Sequence, residues 1–256
     1  MSELVIEQFP CRQDNYGVLI HDPQTGVTGS IDAPEEAPIV EALESRGWSL
    51  NHILVTHHHT DHVEANAALK QRYGANIIGP AAEAKKIPGI DETVSEGDRF
   101  HFGGFEVQVI ETPGHTLGHI CYYIPGASVL FAADTLFALG CGRVFEGTPE
   151  QMHTSLQKLA ALPDDTTVYC GHEYTMSNAA FAVTIEPGNK ALERRAEEIA
   201  RLRDAHRPTL PTTIGLERAT NPFLRTGETA IRDLLAMGEA SDAEVFAEIR
   251  RRKDSF

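Results

Sequence analysis

At 256 residues the chain is long enough to bury a sizeable core, as one large domain or as a large domain with a small one. Its 41% hydrophobic and 23% charged residues are those of a globular protein, and no apolar run approaches the roughly 20 residues a membrane helix needs. A formal charge of -15 repels polyanions, which argues against nucleic acid and anionic membrane as partners.

The start, Met1-Ser2-Glu3-Leu4, has no basic region leading into an apolar stretch, so no secretory leader is expected and the cytoplasm is the expected location. Strands are predicted over 18–21 and 29–32, then a helix over 35–46 closed by Gly47. A strand over 52–56 and a helix over 63–73, closed by Gly74, follow. Further strands are predicted over 77–79, 105–111, 119–124 and 128–133, with turns at Gly103-Gly104 and Pro125-Gly126. Thr148, Pro149 and Gln151 form a capping box that opens a helix running towards Leu162, and a strand over 167–170 follows it. Beyond that the texture changes to helical periods over 190–205, 228–237 and 241–252, the last opened by a Ser241/Glu244 capping box. Interleaved strands and helices suit a sheet-based α/β core, here 1–172, with a small helical domain over 173–256. Charge divides the same way: residues 1–172 carry 9 basic and 23 acidic side chains, residues 173–256 carry 13 and 14.

Four cysteines, Cys11, Cys121, Cys141 and Cys170, have neither C-x-x-C spacing nor a dense framework, and read as ordinary thiols. The segment Thr56 to His62 is different. It follows the apolar run Ile53-Leu54-Val55 and presents His57, His59, Asp61 and His62, more ligands than one ion comfortably uses. His115, Asp134 and His172 each follow another strand-like segment, so loops at strand ends would mount five imidazoles and two carboxylates. Two ions sharing one carboxylate would use them all, and Asp134, apart from the dense loop, is the expected bridge. Such a pair lowers the pKa of a shared water and polarises a carbonyl, which is hydrolytic chemistry. His58 points away from His57 and His59 in an extended segment and is expected to pack or to brace; His119 is expected to be structural. Asp32 and Asp14 are candidates to brace the metal loops.

The chain resembles a known superfamily at these residues. Thr56 to His62, Thr112-Pro113-Gly114-His115-Thr116, the strand ending at Asp134, and Gly171-His172-Glu173-Tyr174 are similar to the metallo-β-lactamase superfamily. Within it, Gly140-Cys141-Gly142-Arg143, Phe145-Glu146-Gly147-Thr148 and the ending Arg250 to Phe256 resemble the glyoxalase II family. The resemblance implies an αββα sandwich with a C-terminal helical domain that contributes to a glutathione site. It implies His57, His59 and His115 on one metal and Asp61, His62 and His172 on the other, with Asp134 bridging and hydroxide between the ions. Asp61 and Asp134 would then be the catalytic carboxylates. Zinc is the first choice, and iron or manganese also suit nitrogen and oxygen donors.

The implied substrate is S-lactoylglutathione, cleaved to lactate and glutathione in methylglyoxal detoxification by a monomeric enzyme. Arg143, Phe145, Tyr174, Arg250 and Lys253 would line the glutathione site, although many relatives have lysine and tyrosine where Arg143 and Phe145 stand. A superfamily sulfur dioxygenase, using one iron and glutathione persulfide, is the alternative; His62 and His172 argue against it by supplying a second metal site. A β-lactamase is disfavoured by Asp134, where familiar zinc β-lactamases carry cysteine, and an RNA-processing nuclease by the net charge.

Overall fold

The computed structural model describes residues 3–256; Met1 and Ser2, which open the segment read for a leader, lie outside the described residues. The chain divides into two compact units, one reaching to Glu111 and adding Gly118–Phe131, the other formed by Thr112–Leu117 and Ala132–Phe256. This division follows contacts in space rather than the change of texture near residue 173.

The first unit begins with β1 (Val5–Cys11), β2 (Asn15–His21), β3 (Thr28–Ile31), α1 (Glu36–Arg46) and β4 (His52–Leu54). It continues through α2 (Thr60–Val63), α3 (Asn66–Tyr73), β5 (Asn76–Pro80), β6 (Glu92–Val94), β7 (Arg99–Phe102), β8 (Phe105–Glu111), β9 (Ile120–Ile124) and the first residues of β10 (Val129–Ala133). Strands β1 to β6 form one sheet in sequence order, antiparallel as far as β3 and parallel from there. β7 to β10 form an antiparallel meander. Parallel strands are buried on both faces, which is why β4 and β5 read as continuous apolar runs. On one face Ile53, Val55 and Ile77 join Ile39 and Leu43 of α1 and Leu69 of α3 in a single core. The meander packs on the first sheet: a Cβ on Gly29 would lie 2.8 Å from the Phe102 ring, and the buried Tyr122 hydroxyl donates to the Val55 carbonyl at 2.8 Å.

The predicted helix over 63–73 is broken into α2 and α3. Ala33 causes the break, accepting from the Ala65 N–H at 3.0 Å while donating to His62 O at 2.7 Å, so this backbone leaves the helical ladder to bond across the fold. Both predicted glycine stops hold, with Gly47 and Gly74 left-handed at φ 66° and 71°.

The second unit takes over the end of β10 and adds β11 (Leu136–Phe137), β12 (Gly140–Cys141), α4 (Pro149–Ala160), β13 (Thr167–Cys170), α5 (Thr175–Ile185), α6 (Lys190–Asp204), β14 (Thr212–Thr213), α7 (Ile214–Thr220), α8 (Thr229–Leu235) and α9 (Asp242–Asp254). β13 lies between β10 and β14. Both capping boxes form as read, at Thr148/Gln151 and Ser241/Glu244. α5 has no counterpart in the sequence reading because it carries no charged residue to mark a polar face, although Ala179, Phe181, Ala182 and Ile185 are buried. Beyond His172 the chain is helical apart from the two-residue β14. The expected α/β class with a helical C-terminal region stands.

Candidate metal centre

In the first unit, β4 ends at Leu54 and the chain runs through Val55 and Thr56 into the histidine loop. His57 Nε2 and His59 Nδ1 face each other at 3.1 Å. Two nitrogens each about 2.1 Å from one tetrahedral zinc ion would stand roughly 3.4 Å apart, so this pair is spaced as co-ligands. Thr56 Oγ1 lies 3.0 Å from the other nitrogen of His57 and orients the ring. His62 directs Nδ1 at Asp32 Oδ2 (2.7 Å), which leaves Nε2 on the side of Asp61 Oδ2 at 3.6 Å. Asp61 is itself held by Asn15, whose Nδ2 donates to its carbonyl at 3.2 Å and its carboxylate at 3.1 Å.

Asp32 lies among possible ligands, its oxygen within 4.8 Å of His57 and His62 nitrogens. Its bonds mark it as the brace. Oδ1 accepts from Thr56 N (2.7 Å) while Oδ2 takes Thr56 Oγ1 (2.8 Å) and His62, an arrangement reached with the Asp32 backbone at φ 58°. A carboxylate on the outer nitrogen of a ligating imidazole fixes its tautomer and raises its basicity. Asp32→Asn is therefore expected to weaken metal affinity roughly 10–100-fold, read by chelator competition, with little change in the melting temperature of metal-free protein.

Sequence reading missed Glu83 and Asn15. Glu83, 3% exposed, accepts from the His58 N–H (2.8 Å), meets the His58 ring at 2.8 Å and takes the Gly118 N–H at 2.9 Å. It thus ties the histidine loop to the point where the chain returns from Thr112–Leu117. The only trace in the sequence is Gly118, where a Cβ would strike Glu83 Cγ at 2.5 Å. His58 braces, as expected, and His119 stacks on His57 with centroids 4.8 Å apart.

In the second unit one carboxylate oxygen, Asp134 Oδ2, lies 3.3 Å from His115 Nε2 and 3.4 Å from His172 Nε2. His115 donates its other N–H to the Arg143 carbonyl at 2.9 Å, so Nε2 keeps its lone pair. β10 ends with Ala133 at φ 40°, and Gly171 N donates to Ala133 O, which aligns the Asp134 and His172 loops. His57, His62, His115, Asp134 and His172 are all at most 6% exposed. Buried polar groups are held by hydrogen bonds or by an ion, and the bonds described here engage the outer atoms of His57, His62 and His115. Imidazole nitrogens and carboxylate oxygens with their outer atoms already engaged suit a hard or borderline divalent ion, and these donors support divalent-metal binding.

Residues 25–172 match the model of the metallo-beta-lactamase superfamily, and residues 173–256 match that of the hydroxyacylglutathione hydrolase C-terminus. A hydroxyacylglutathione hydrolase from Rhizobium meliloti (strain 1021) is 64% identical over 256 residues, covering 100% of both chains. The chain belongs to the hydroxyacylglutathione hydrolase (glyoxalase II) family. A second member, from Brucella anthropi, is 65% identical over 99% of this chain and 97% of its own. Among solved structures, ETHE1 from Myxococcus xanthus superposes with a TM-score of 0.67 at 26% identity, covering 98% of this chain and 99% of that one.

The residues expected at a glutathione site in this hydrolase family member occupy one unit. Tyr174 stacks flat on His172, with centroids 4.8 Å apart and planes 3° from parallel, and Phe145 lies 5.2 Å from the His115 ring. Phe145 and the Arg143 side chain are 62% and 65% exposed, open to a ligand. Arg250 is buried at 6%, donating to the Cys141 carbonyl (3.0 Å) and pairing with Asp254 (2.8 Å), with its Nε lacking a partner. Lys253 Nζ bonds the carbonyl and hydroxyl of Ser177, each at 3.0 Å. Partial burial and the neighbouring Arg250 and Arg143 push the Lys253 ammonium down to about 8. Burial pushes the Cys141 thiol up to about 11, so it is inert at neutral pH, as expected.

Proposed function

We propose that this enzyme hydrolyses S-(2-hydroxyacyl)glutathione, chiefly S-lactoylglutathione, to glutathione and a 2-hydroxy acid, as a cytoplasmic monomer serving methylglyoxal detoxification. The observation that carries the chemistry is the single Asp134 oxygen set between His115 and His172, the geometry of a bridging carboxylate. The substrate rests on relatives named hydroxyacylglutathione hydrolase along the full chain. In this reading His57, His59 and His115 would hold one ion and Asp61, His62 and His172 another, with Asp134 serving both, and zinc is the first choice. Held there, divalent ions supply activation of water near neutral pH and polarisation of the acyl carbonyl.

The chain's own residues do the rest. Asp32, Thr56 and the Arg143 carbonyl keep His62, His57 and His115 in their ligating orientation. Arg143 and Lys253 offer cationic donors to the carboxylates of glutathione, beside the rings of Tyr174 and Phe145, while buried Arg250 would act on that site from behind, through its bond to the Cys141 carbonyl. Water oxygen joins the acyl carbon, the C–S bond breaks, and sulfur leaves as thiolate and takes up a proton. A thiol of pKa about 8.5 leaves readily, so no strong general acid is required.

The ammonium form of Lys253 is the one that grips a carboxylate, and it is lost as pH rises through about 8. Accordingly kcat/KM should fall above about pH 8, and Lys253→Met should start lower at neutral pH and lack that limb. The deciding experiment follows the loss of thioester absorbance with S-lactoylglutathione beside a metal analysis of the same sample. A two-metal preparation that leaves the thioester intact overturns the substrate assignment, and one iron per chain with oxygen consumption overturns hydrolysis.

A further inference from the structure

Five residues, Leu139 to Arg143, link the helical part of the second unit to His115 and Asp134, and one backbone polar group of each is engaged from outside this strap. Leu139 sits at φ 58° with its N–H on Glu217 Oε2 at 2.8 Å. Gly140 O accepts from Asn221 Nδ2 at 2.9 Å, and the same amide reaches Phe137 O at 3.2 Å. Cys141 O accepts from Arg250, Gly142 N donates to Thr135 O at 3.2 Å, and Arg143 O receives the His115 ring proton.

At the far end, Glu217 and Asn221 are fully buried on α7 and at its C-cap. Glu217 also pairs with Arg195 and accepts from Thr212 Oγ1 at 2.6 Å, and Asn221 Nδ2 lies 3.0 Å from Glu217 Oε2. A buried charge pair is a poor source of stability beside apolar packing of the same volume. Its polar atoms instead end on the strap, holding a non-glycine residue in a left-handed conformation that must be over-determined to persist.

We propose that Glu217 and Asn221 are positioning residues: through the strap 139–143 they set the Arg143 carbonyl that holds the His115 tautomer, and thereby metal retention. The proposal rests on the reading of His115 and Asp134 as ligands. Neither residue touches substrate or the reacting atoms.

The test uses Asn221→Ala, with Asn221→Ser as the gentler variant should the first fail to fold, and Glu186→Gln as comparator. Glu186 pairs with Arg225 at 2.7 Å in the same unit, and that pair reaches α7 through the Arg218 carbonyl, which makes it a control for the helix apart from its bonds to the strap. Metal-loaded Asn221→Ala is expected to release zinc to a chelator roughly tenfold faster than wild type, the scale of a lost outer-shell partner, with kcat lowered and KM for the thioester within about twofold. Glu186→Gln should lose thermal stability but keep wild-type metal release. In metal-free protein, long-range 1H–15N spectra should report His115 in the Nδ1–H form for wild type and a mixture of tautomers for Asn221→Ala. An unchanged His115 tautomer in Asn221→Ala, or metal release that tracks melting temperature equally in Glu186→Gln, overturns the proposal. Wild type that takes up no zinc while the tautomer shifts as expected overturns the ligand reading and leaves the strap standing.

Discussion

Asp134→Ala should abolish thioester hydrolysis and empty the centre of metal. Asp134 Oδ2 is the atom set between His115 and His172, so its loss would remove the anionic donor that the ions held by these imidazoles would share. Outer-shell partners alone are worth roughly 10–100-fold in affinity or activity, so removing a bridging ligand should cost more than about 100-fold in kcat. Metal per chain, measured after dialysis, should drop with it. Alanine also relieves the desolvation of a carboxylate that is only 6% exposed, so the melting temperature of metal-free protein should hold or rise. A metal-depleted Asp134→Ala protein that turns over at the wild-type rate would sink the mechanism.

Gly142→Ala should be the most damaging change at a residue that is not itself a proposed ligand. A Cβ there would lie 1.9 Å from the Asp134 carbonyl oxygen and 3.3 Å from His115 Nδ1. The first obstacle is backbone, which no rotamer change can clear. Either the strap lifts away from His115 or the Asp134 turn moves. Overpacking of this kind costs about 1–3 kcal/mol of stability, and here the displaced atoms carry two ligands. Unfolding and metal titration should both register it, whereas Gly238→Ala, with nothing within 4 Å, should stay within about 0.5 kcal/mol of wild type. Wild-type metal affinity in Gly142→Ala would show that the strap and the Asp134 turn are not in register as described.

Much of the architecture was legible because local physics matched the global fold. Gly47 and Gly74 stop helices since left-handed backbone suits glycine, and the Thr148 and Ser241 boxes satisfy orphan N–H groups using residues three apart. β1 was not, because its residues are half-exposed and Pro10 interrupts a run that reads as neither alternating nor apolar. α5 was missed because it carries no charged residue to mark a polar face.

The centre divides likewise. The donors and their order along the chain are set by composition: histidines and aspartates at strand ends, where a rigid sheet mounts them. Sequence position already made Asp134 the expected bridge and Asp32 a candidate brace, and the tertiary structure supplied the bonds that suit Asp32 to bracing. Asp32 became a brace because Thr56 and His62, 24 and 30 residues away, occupy its oxygens. The same holds for Asn15 on Asp61, 46 residues apart, and for Glu83 on His58, 25 apart. A ligand's identity is a property of its side chain, whereas its orientation depends on the partner at its outer atom, and chain topology alone brings that partner in.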